Sequence, residues 1–407
     1  MTLGNQTDET RIMNNSEINN AGKITEYYSD INNSLRLEKD RRSIVANPSF
    51  NVVLEHLSKN NVKIEGTNLL HAFASEYFEN KREEILKEYI GTNPLDVACG
   101  TLFFYRKMLS KGWSGQINGY DISNSMLSLA KSYITSDQDN NHVTKMHKDM
   151  YIMENSLGQE VWSLESTINE IKNKPDNLRL IQGNIKEDTL PEGDYSIVTA
   201  FSGPICYFPT DEQETIFRKL TERSDTVAFT IKSAGAEIIK NNQEMYATLT
   251  SILNAMWDEP LGQEEKNFFK YGANRLLSKD QSSISSREIP HEKGDFCSYV
   301  TFLEESKEWA SKADLNIIEE WGYGFQINVF PETLLEKYLE CKQDAGKLKN
   351  FNEKYQRIEE LFSKHAPDYC ENVLILATKH KNISPDYSKP RNGSEYYAIT
   401  NKKVSIN

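Results

Sequence analysis

Apolar positions along the middle of the chain fall into blocks of two kinds. Short, strand-length runs occupy 95–97, 117–122, 178–185, 195–200, 226–232, 315–325 and 372–379. Between them, apolar residues recur at helical spacing over 103–111, 125–134, 211–221, 234–257, 303–312 and 331–364. Strand and helix in alternation require a mostly parallel sheet with helices on both faces, so the predicted class is α/β and doubly wound. Ahead of the first strand, 24–57 reads as helices broken at Asn47-Pro48. A further helix at 69–90 keeps Leu70, Phe73, Tyr77, Phe78, Ile85 and Tyr89 on or near one face.

Two stretches interrupt the alternation. Helix and next strand in a minimal sheet are joined by about 2 to 6 residues, so 135–176, with a helix predicted at 161–172, is an insertion. The region 240–297 holds a second one, irregular and rich in Ser, Lys and Glu from 259 on. The ends lack core periodicity. The expected organisation is a disordered tail at 1–20, a helical cap at 21–91, the sheet domain at 92–381 with its two insertions forming a lid, and a flexible tail at 382–407.

The first strand ends in a tight turn, Cys99-Gly100-Thr101, before the helix at 103. In a doubly wound sheet such a turn lies at the carboxyl ends of the strands, where small ligands bind. The second strand, INGYDI, ends at Asp121, an acid placed to take a pair of ribose hydroxyls. Together these are the pattern of an adenosyl-cofactor pocket. A dinucleotide turn needs G-x-G-x-x-G, and Ala98, Gly100 and Phe103 stand at those positions, which disfavours a dinucleotide.

The run LDVACGT resembles the first signature of the class I S-adenosylmethionine-dependent methyltransferases, D-x-G-x-G-x-G, with Ala98 and Leu102 where that family usually has glycine. Leu102 is expected to narrow the space beside the methionine part of the cofactor. The resemblance continues in GYDIS and in the order of strands. It implies a class I, Rossmann-like sheet of seven strands, in which LNIIEEW supplies the sixth and NVLILATK an antiparallel seventh. It places the adenine against the end of 178–185, where Gly183-Asn184 replaces a Gly-Asp pair; an asparagine amide oxygen can still accept from an amino group. Tyr27-Tyr28 resembles an amino-terminal tyrosine stretch that closes over the cofactor, and helix packing explains the pair equally well. The cofactor contacts implied are Tyr28, Asp96, Ala98, Cys99, Gly100, Asp121, Ile122, Met126, Asn184, Ile185 and Phe201.

The composition narrows the partners. The net charge of -13 repels a phosphate backbone, which argues against nucleic acid. The segment after 201, Phe-Ser-Gly-Pro, also lacks the Asn/Asp-Pro-Pro-aromatic motif of amino-group methylases that act on nucleobases or glutamine. No apolar run has the roughly 18 residues a membrane span needs, and the polar amino terminus carries no apolar leader segment. The 5 cysteines are scattered without a C-x-x-C pair, as expected of reduced thiols in a cytoplasmic setting. Acids and histidines do not cluster at ligand spacing, so no metal is expected. The cap and insertions, mixed aromatic and polar, suit a small organic acceptor.

For chemistry, the loop that leaves the strand at 195–200 is the expected floor of the reaction chamber. Ser202 and Tyr207 are candidate acceptor-binding groups, and Tyr207, His291 and His147 are candidate bases. Three outcomes are compatible with these residues. The first is methyl transfer to a small molecule, leaving S-adenosylhomocysteine. The second is transfer or cyclisation of the aminocarboxypropyl chain, leaving methylthioadenosine. The third is an adenosyl-binding subunit without turnover. Asp188, in the loop after 185, reads as a solvated surface acid.

Overall fold

The structure, a computed structural model, describes residues 22–24, 26–28, 30, 68–135, 152–154, 160–163, 175–201, 203–258, 287–290 and 296–379. Its strands are β1 (Leu95–Val97), β2 (Gln116–Asp121), β3 (Ile152–Glu154), β4 (Glu160–Ser163), β5 (Asn177–Gln182), β6 (Val198–Ala200), β7 (Thr226–Lys232), β8 (Glu288–Pro290), β9 (Cys297–Tyr299), β10 (Asn316–Tyr323) and β11 (Asn372–Thr378). The helices are α1 (Asn68–Leu86), α2 (Phe103–Ser110), α3 (Asn124–Thr135), α4 (Thr210–Thr221), α5 (Ala234–Asn241), α6 (Gln243–Asp258), α7 (Leu303–Lys312), α8 (Pro331–Cys341) and α9 (Ala345–His365).

Seven strands form one sheet in the order β10-β11-β7-β6-β1-β2-β5. β1 pairs in parallel with β2 on one side and β6 on the other, so the strand order reverses at β1 and opens a crevice at the carboxyl ends. β11 runs antiparallel to both β7 and β10. This is the α/β, class I methyltransferase-like sheet that the resemblance implied, down to the single reversed strand.

Period-two alternation decides the two faces. Val227, Phe229 and Ile231 of β7, with Val373, Ile375 and Ala377 of β11, pack with Ile216, Phe217 and Leu220 of α4 and Trp309 of α7. The intervening Ala228, Leu374 and Leu376 face the other way, onto Phe104, Tyr105 and Leu109 of α2 and Leu127 and Ala130 of α3. A separate apolar cluster joins α1, α5, α6, α8 and α9. In α9 the buried residues Leu348, Phe351, Asn352, Tyr355, Ile358, Glu359, Phe362 and Ser363 recur at helical spacing. Each fully buried Leu or Phe contributes roughly 1.5–3 kcal/mol. Glu359 lies in that stripe, and its carboxylate accepts from the backbone N–H groups of Gly324 (2.8 Å), Phe325 (2.9 Å) and Gln326 (3.2 Å).

Several boundaries differ from the sequence expectation. The helix predicted at 161–172 begins as a strand, since Glu160–Ser163 pairs antiparallel with β3. Val and Trp favour a pleated backbone, and 164–174 lies outside the described residues. The 331–364 helix is two, with Asp344 capping α9 by accepting from the Lys347 N–H at 2.9 Å. The 234–257 helix is also two, parted at Asn242. α4 starts one residue earlier than the spacing at 211–221 predicts, directly after Pro209. The predicted tails and most of both predicted insertions lie outside the described residues.

Candidate functional site

The turn after β1 takes the left-handed conformation at alternate residues, Ala98 (φ 53°), Gly100 (φ 53°) and Leu102 (φ 55°). These are the signature's three glycine positions. The backbone is left-handed at all three positions although Ala98 and Leu102 carry side chains, at about 1–2 kcal/mol for each. Hydrogen bonds hold it there: the Cys99 N–H donates to Tyr120 O (3.2 Å), Leu102 N–H to Cys99 O (2.9 Å), and Gly100 N–H to Asp121 Oδ2 (2.7 Å). The Leu102 side chain does not crowd a methionine site. It is fully buried in the core between sheet and helices, because left-handed φ at 102 swings its Cβ inward. Gly119 of β2 makes room for it, since a Cβ there would lie 2.9 Å from Cys99 Sγ and 3.4 Å from Leu102 Cδ2.

Asp121 ties two turns together. Beside its bond from Gly100, its Oδ1 accepts from the Ser123 N–H at 2.8 Å. Ser123 in turn caps α3, its hydroxyl accepting from Met126 N–H (3.1 Å) and donating to the Tyr28 carbonyl (2.5 Å). Each Asp121 oxygen thus takes one backbone N–H, from a different turn.

The loop after β5 is bound from three sides. A Cβ on Gly183 would collide with the Tyr120 ring, so only glycine fits. Asp188, despite its exposure, accepts from the Asn184 N–H (2.7 Å) and from the Tyr120 hydroxyl (3.4 Å), so it organises this loop rather than standing free in solvent. Asn184 Oδ1 accepts from the Lys186 N–H at 3.0 Å. The Lys219 ammonium of α4 donates to the carbonyls of Ile185 (2.7 Å), Lys186 (2.8 Å) and Asp188 (3.0 Å).

Beyond β6, Phe201 is buried under the Arg82 guanidinium, 4.9 Å from its ring centre. Gly203 (φ 69°) turns the chain into a short helical turn, Pro204–Tyr207. The Tyr207 hydroxyl lies 2.8 Å from that of Tyr28, and Phe296 packs edge-on against Tyr27 and Tyr207 and tilted against Tyr28. Cys206 faces away, accepting from the Lys232 N–H, and burial pushes its thiol up to about 11.

These parts line a cleft at the carboxyl ends of β1, β2, β5 and β6, in two lobes of about 710 and 540 Å³. Ile24, Ala98, Asp121, Ile122, Pro204 and Tyr207 line both. The larger lobe adds Asn184 and Ile185; the smaller adds Tyr28, Gly100, Met126 and Phe201. Asp96 and Cys99 line neither. Asp96 is buried and accepts from the Thr199 hydroxyl at 2.7 Å. Cys99 is buried beneath Gly119, and burial together with Asp121 and Asp96 raises its thiol well above the usual range. Ser202, His291 and His147 lie outside the described residues.

Lys186, Glu212 and Tyr299 also line the larger lobe, and no motif or spacing marks them. Lys186 Nζ pairs with Glu212 Oε1 at 2.8 Å, while Glu212 Oε2 is buried and accepts no hydrogen bond. Among the described residues, no group of three or more His, Cys, Asp or Glu is arranged to hold a metal ion, and no helix is long and apolar enough to cross a membrane.

No family model matches the sequence, and no curated protein matches it. Among solved structures, the chain is similar to magnesium protoporphyrin IX methyltransferase from Synechocystis PCC 6803 with bound SAH, at 8% identity and TM-score 0.36, over 81% of this chain and 99% of that one. It is similar to an S-adenosylmethionine-dependent methyltransferase from Clostridium acetobutylicum ATCC 824, at 11% identity and TM-score 0.35, over 74% and 91%. It is also similar to the cyclase SpnF, at 10% identity and TM-score 0.36, over 75% and 82%. The fold stands on the strand order of the chain itself.

Proposed function

We propose that this protein is an S-adenosylmethionine-dependent methyltransferase acting on a small-molecule acceptor. One observation carries the proposal: the left-handed turn at 98–102 and the acid ending β2 are locked to each other by the Gly100–Asp121 hydrogen bond at the mouth of the switch-point cleft. The residues present fit an adenosyl ligand. Asp121 would accept the ribose hydroxyls, Ile122 and Ile185 would flank the base, and Gly100 admits a close approach of ligand to backbone.

Bound there, the cofactor would supply a methyl group activated by the adjacent sulfonium. The chain's own task is alignment and exclusion of water. Tyr28, Tyr207 and Phe201 enclose the smaller lobe, and the Tyr27 and Phe296 rings pack against Tyr28. The Tyr207 hydroxyl can orient an acceptor by donating or accepting one hydrogen bond. Residues of the 21–91 segment and of the two insertions would complete the lid. Leu102 lends no support to attack on the aminocarboxypropyl chain, because its side chain is in the core.

The test is to incubate purified protein with S-adenosylmethionine, alone and with a metabolite extract, and to identify products by mass. S-adenosylhomocysteine that forms only with the extract is the expected result. Methylthioadenosine in proportion to enzyme, without S-adenosylhomocysteine, overturns methyl transfer, and failure to bind either adenosyl compound overturns the cofactor.

A further inference from the structure

We infer that Glu212, on the first turn of α4, reads the amino edge of the adenine, a task that sequence resemblance gives to Asn184. This assignment rests on the proposed cofactor and adds the residue that selects its base. Among the described residues that line the cleft, Glu212 presents a buried carboxylate oxygen, Oε2, with no hydrogen-bond donor. Leaving such an oxygen unsatisfied costs on the order of 1–3 kcal/mol, which a ligand N–H would recover.

The neighbouring acceptors each hold at least one donor already, whereas Glu212 Oε2 holds none. Asn184 Oδ1 takes the Lys186 N–H at 3.0 Å, and Asp188 Oδ2 takes the Asn184 N–H and the Tyr120 hydroxyl. Each Asp121 oxygen takes one backbone N–H. Lys186 holds the other Glu212 oxygen at 2.8 Å, which fixes the carboxylate plane beside Asn184 and Ile185. Glu212 lines the larger lobe with those two residues and is not among the residues of the smaller lobe, where Tyr28, Gly100 and Phe201 stand. It therefore sits at the base end of the cleft. A carboxylate there accepts from an exocyclic amino group and repels a ring carbonyl, so it favours adenine over a 6-oxo purine.

The test compares, by titration calorimetry, S-adenosylhomocysteine with its analogue lacking the 6-amino group. Wild type should prefer the amino form by at least about tenfold, as hydrogen bonds to charged groups do. Glu212→Ala should reduce the preference to within about twofold, by weakening the amino form and leaving the analogue unchanged. Glu212→Gln, which keeps the shape and an amide oxygen, should retain part of it, and serves if the Ala variant fails to fold. Lys186→Ala breaks the same ion pair and should keep a clear preference, which separates hydrogen bonding from loop support. A wild-type preference below twofold, or an undiminished preference in both Glu212 variants, overturns the assignment while leaving the cofactor standing. Absence of binding by both compounds to wild type removes the cofactor as well.

Discussion

The hydroxyl of Tyr28 lies 2.8 Å from that of Tyr207, joining an amino-terminal helix to the loop after β6 across 179 residues of sequence. The rings meet at 6.2 Å in an edge arrangement. Each residue thus has a partner distant in sequence and a place in the cleft wall. Tyr207→Phe should lower turnover about fivefold while S-adenosylhomocysteine affinity stays within about twofold, since one lost hydrogen bond is worth about 1 kcal/mol. Adding Tyr28→Phe should cost little more, because the pair acts as one unit. Calorimetry and initial rates on the two single variants and the double check this; a fall in cofactor affinity equal to the fall in turnover would contradict it.

Asp121 holds two turns together and is the proposed acceptor of the ribose hydroxyls, and the two roles separate by measurement. Asp121→Ala leaves the Gly100 and Ser123 N–H groups without their acceptor, at about 1–3 kcal/mol each if they stay buried. The unliganded protein should melt lower, and the further rise in Tm produced by S-adenosylhomocysteine in wild type should nearly vanish. A lower melting point with the full ligand-induced rise would show that Asp121 supports the fold alone.

The strained turn gives substitutions of opposite sign. Ala98 is exposed at φ 53°, so Ala98→Gly relieves left-handed strain and should stabilise by up to about 1 kcal/mol after the added freedom of the unfolded chain is counted. Leu102 has the same φ but a fully buried side chain. Leu102→Gly should destabilise by about 1–3 kcal/mol, because lost burial exceeds relieved strain. Urea unfolding of the two variants decides it.

Asp368 supplies a pH test. Burial pushes its carboxyl up from 3.8 to about 6, partly offset by Lys307 and by a backbone hydrogen bond from Leu303, and its Oδ1 has no partner. A carboxyl that holds its proton more tightly when folded costs stability above its folded pKa. That cost fades as pH falls from about 6 toward 3.8. Asp368→Asn should therefore raise the unfolding free energy at pH 7–8, by at most about 3 kcal/mol, with a gain that shrinks below about pH 6 and is gone near pH 4. A gain independent of pH would mean that its source is packing.

Much of the site was legible where chemistry is local. Asp121, Ile122 and Met126 follow one another from a strand end into a helix, and Asn184 and Ile185 stand in the loop just past another strand, β5, so local spacing placed them at the cleft. Leu102 was misread because a departure from a glycine pattern tells which side chain is present and not where a left-handed Cβ points. Asp188 is exposed at the surface, as its loop position predicts, while its bonds from the Asn184 N–H and the Tyr120 hydroxyl come from a turn and a neighbouring strand that no local pattern shows.

The sequence by itself determined the alternation of strand and helix, the faces that each strand buries, and the turn and acid that mark the head of the cleft. Those follow from spacing over a few residues, which backbone geometry converts directly into direction. The tertiary structure alone decided that Lys219 clamps the loop after β5, that Glu212 brings an unpaired oxygen to its wall, and that Tyr28 meets Tyr207. Lys219 and Glu212 lie on a helix that begins after Pro209, and they reach residues 184–188 only because β5 and β6 flank β1 and β2 in one sheet. Strand order and crossover set such distances, and no local pattern encodes them.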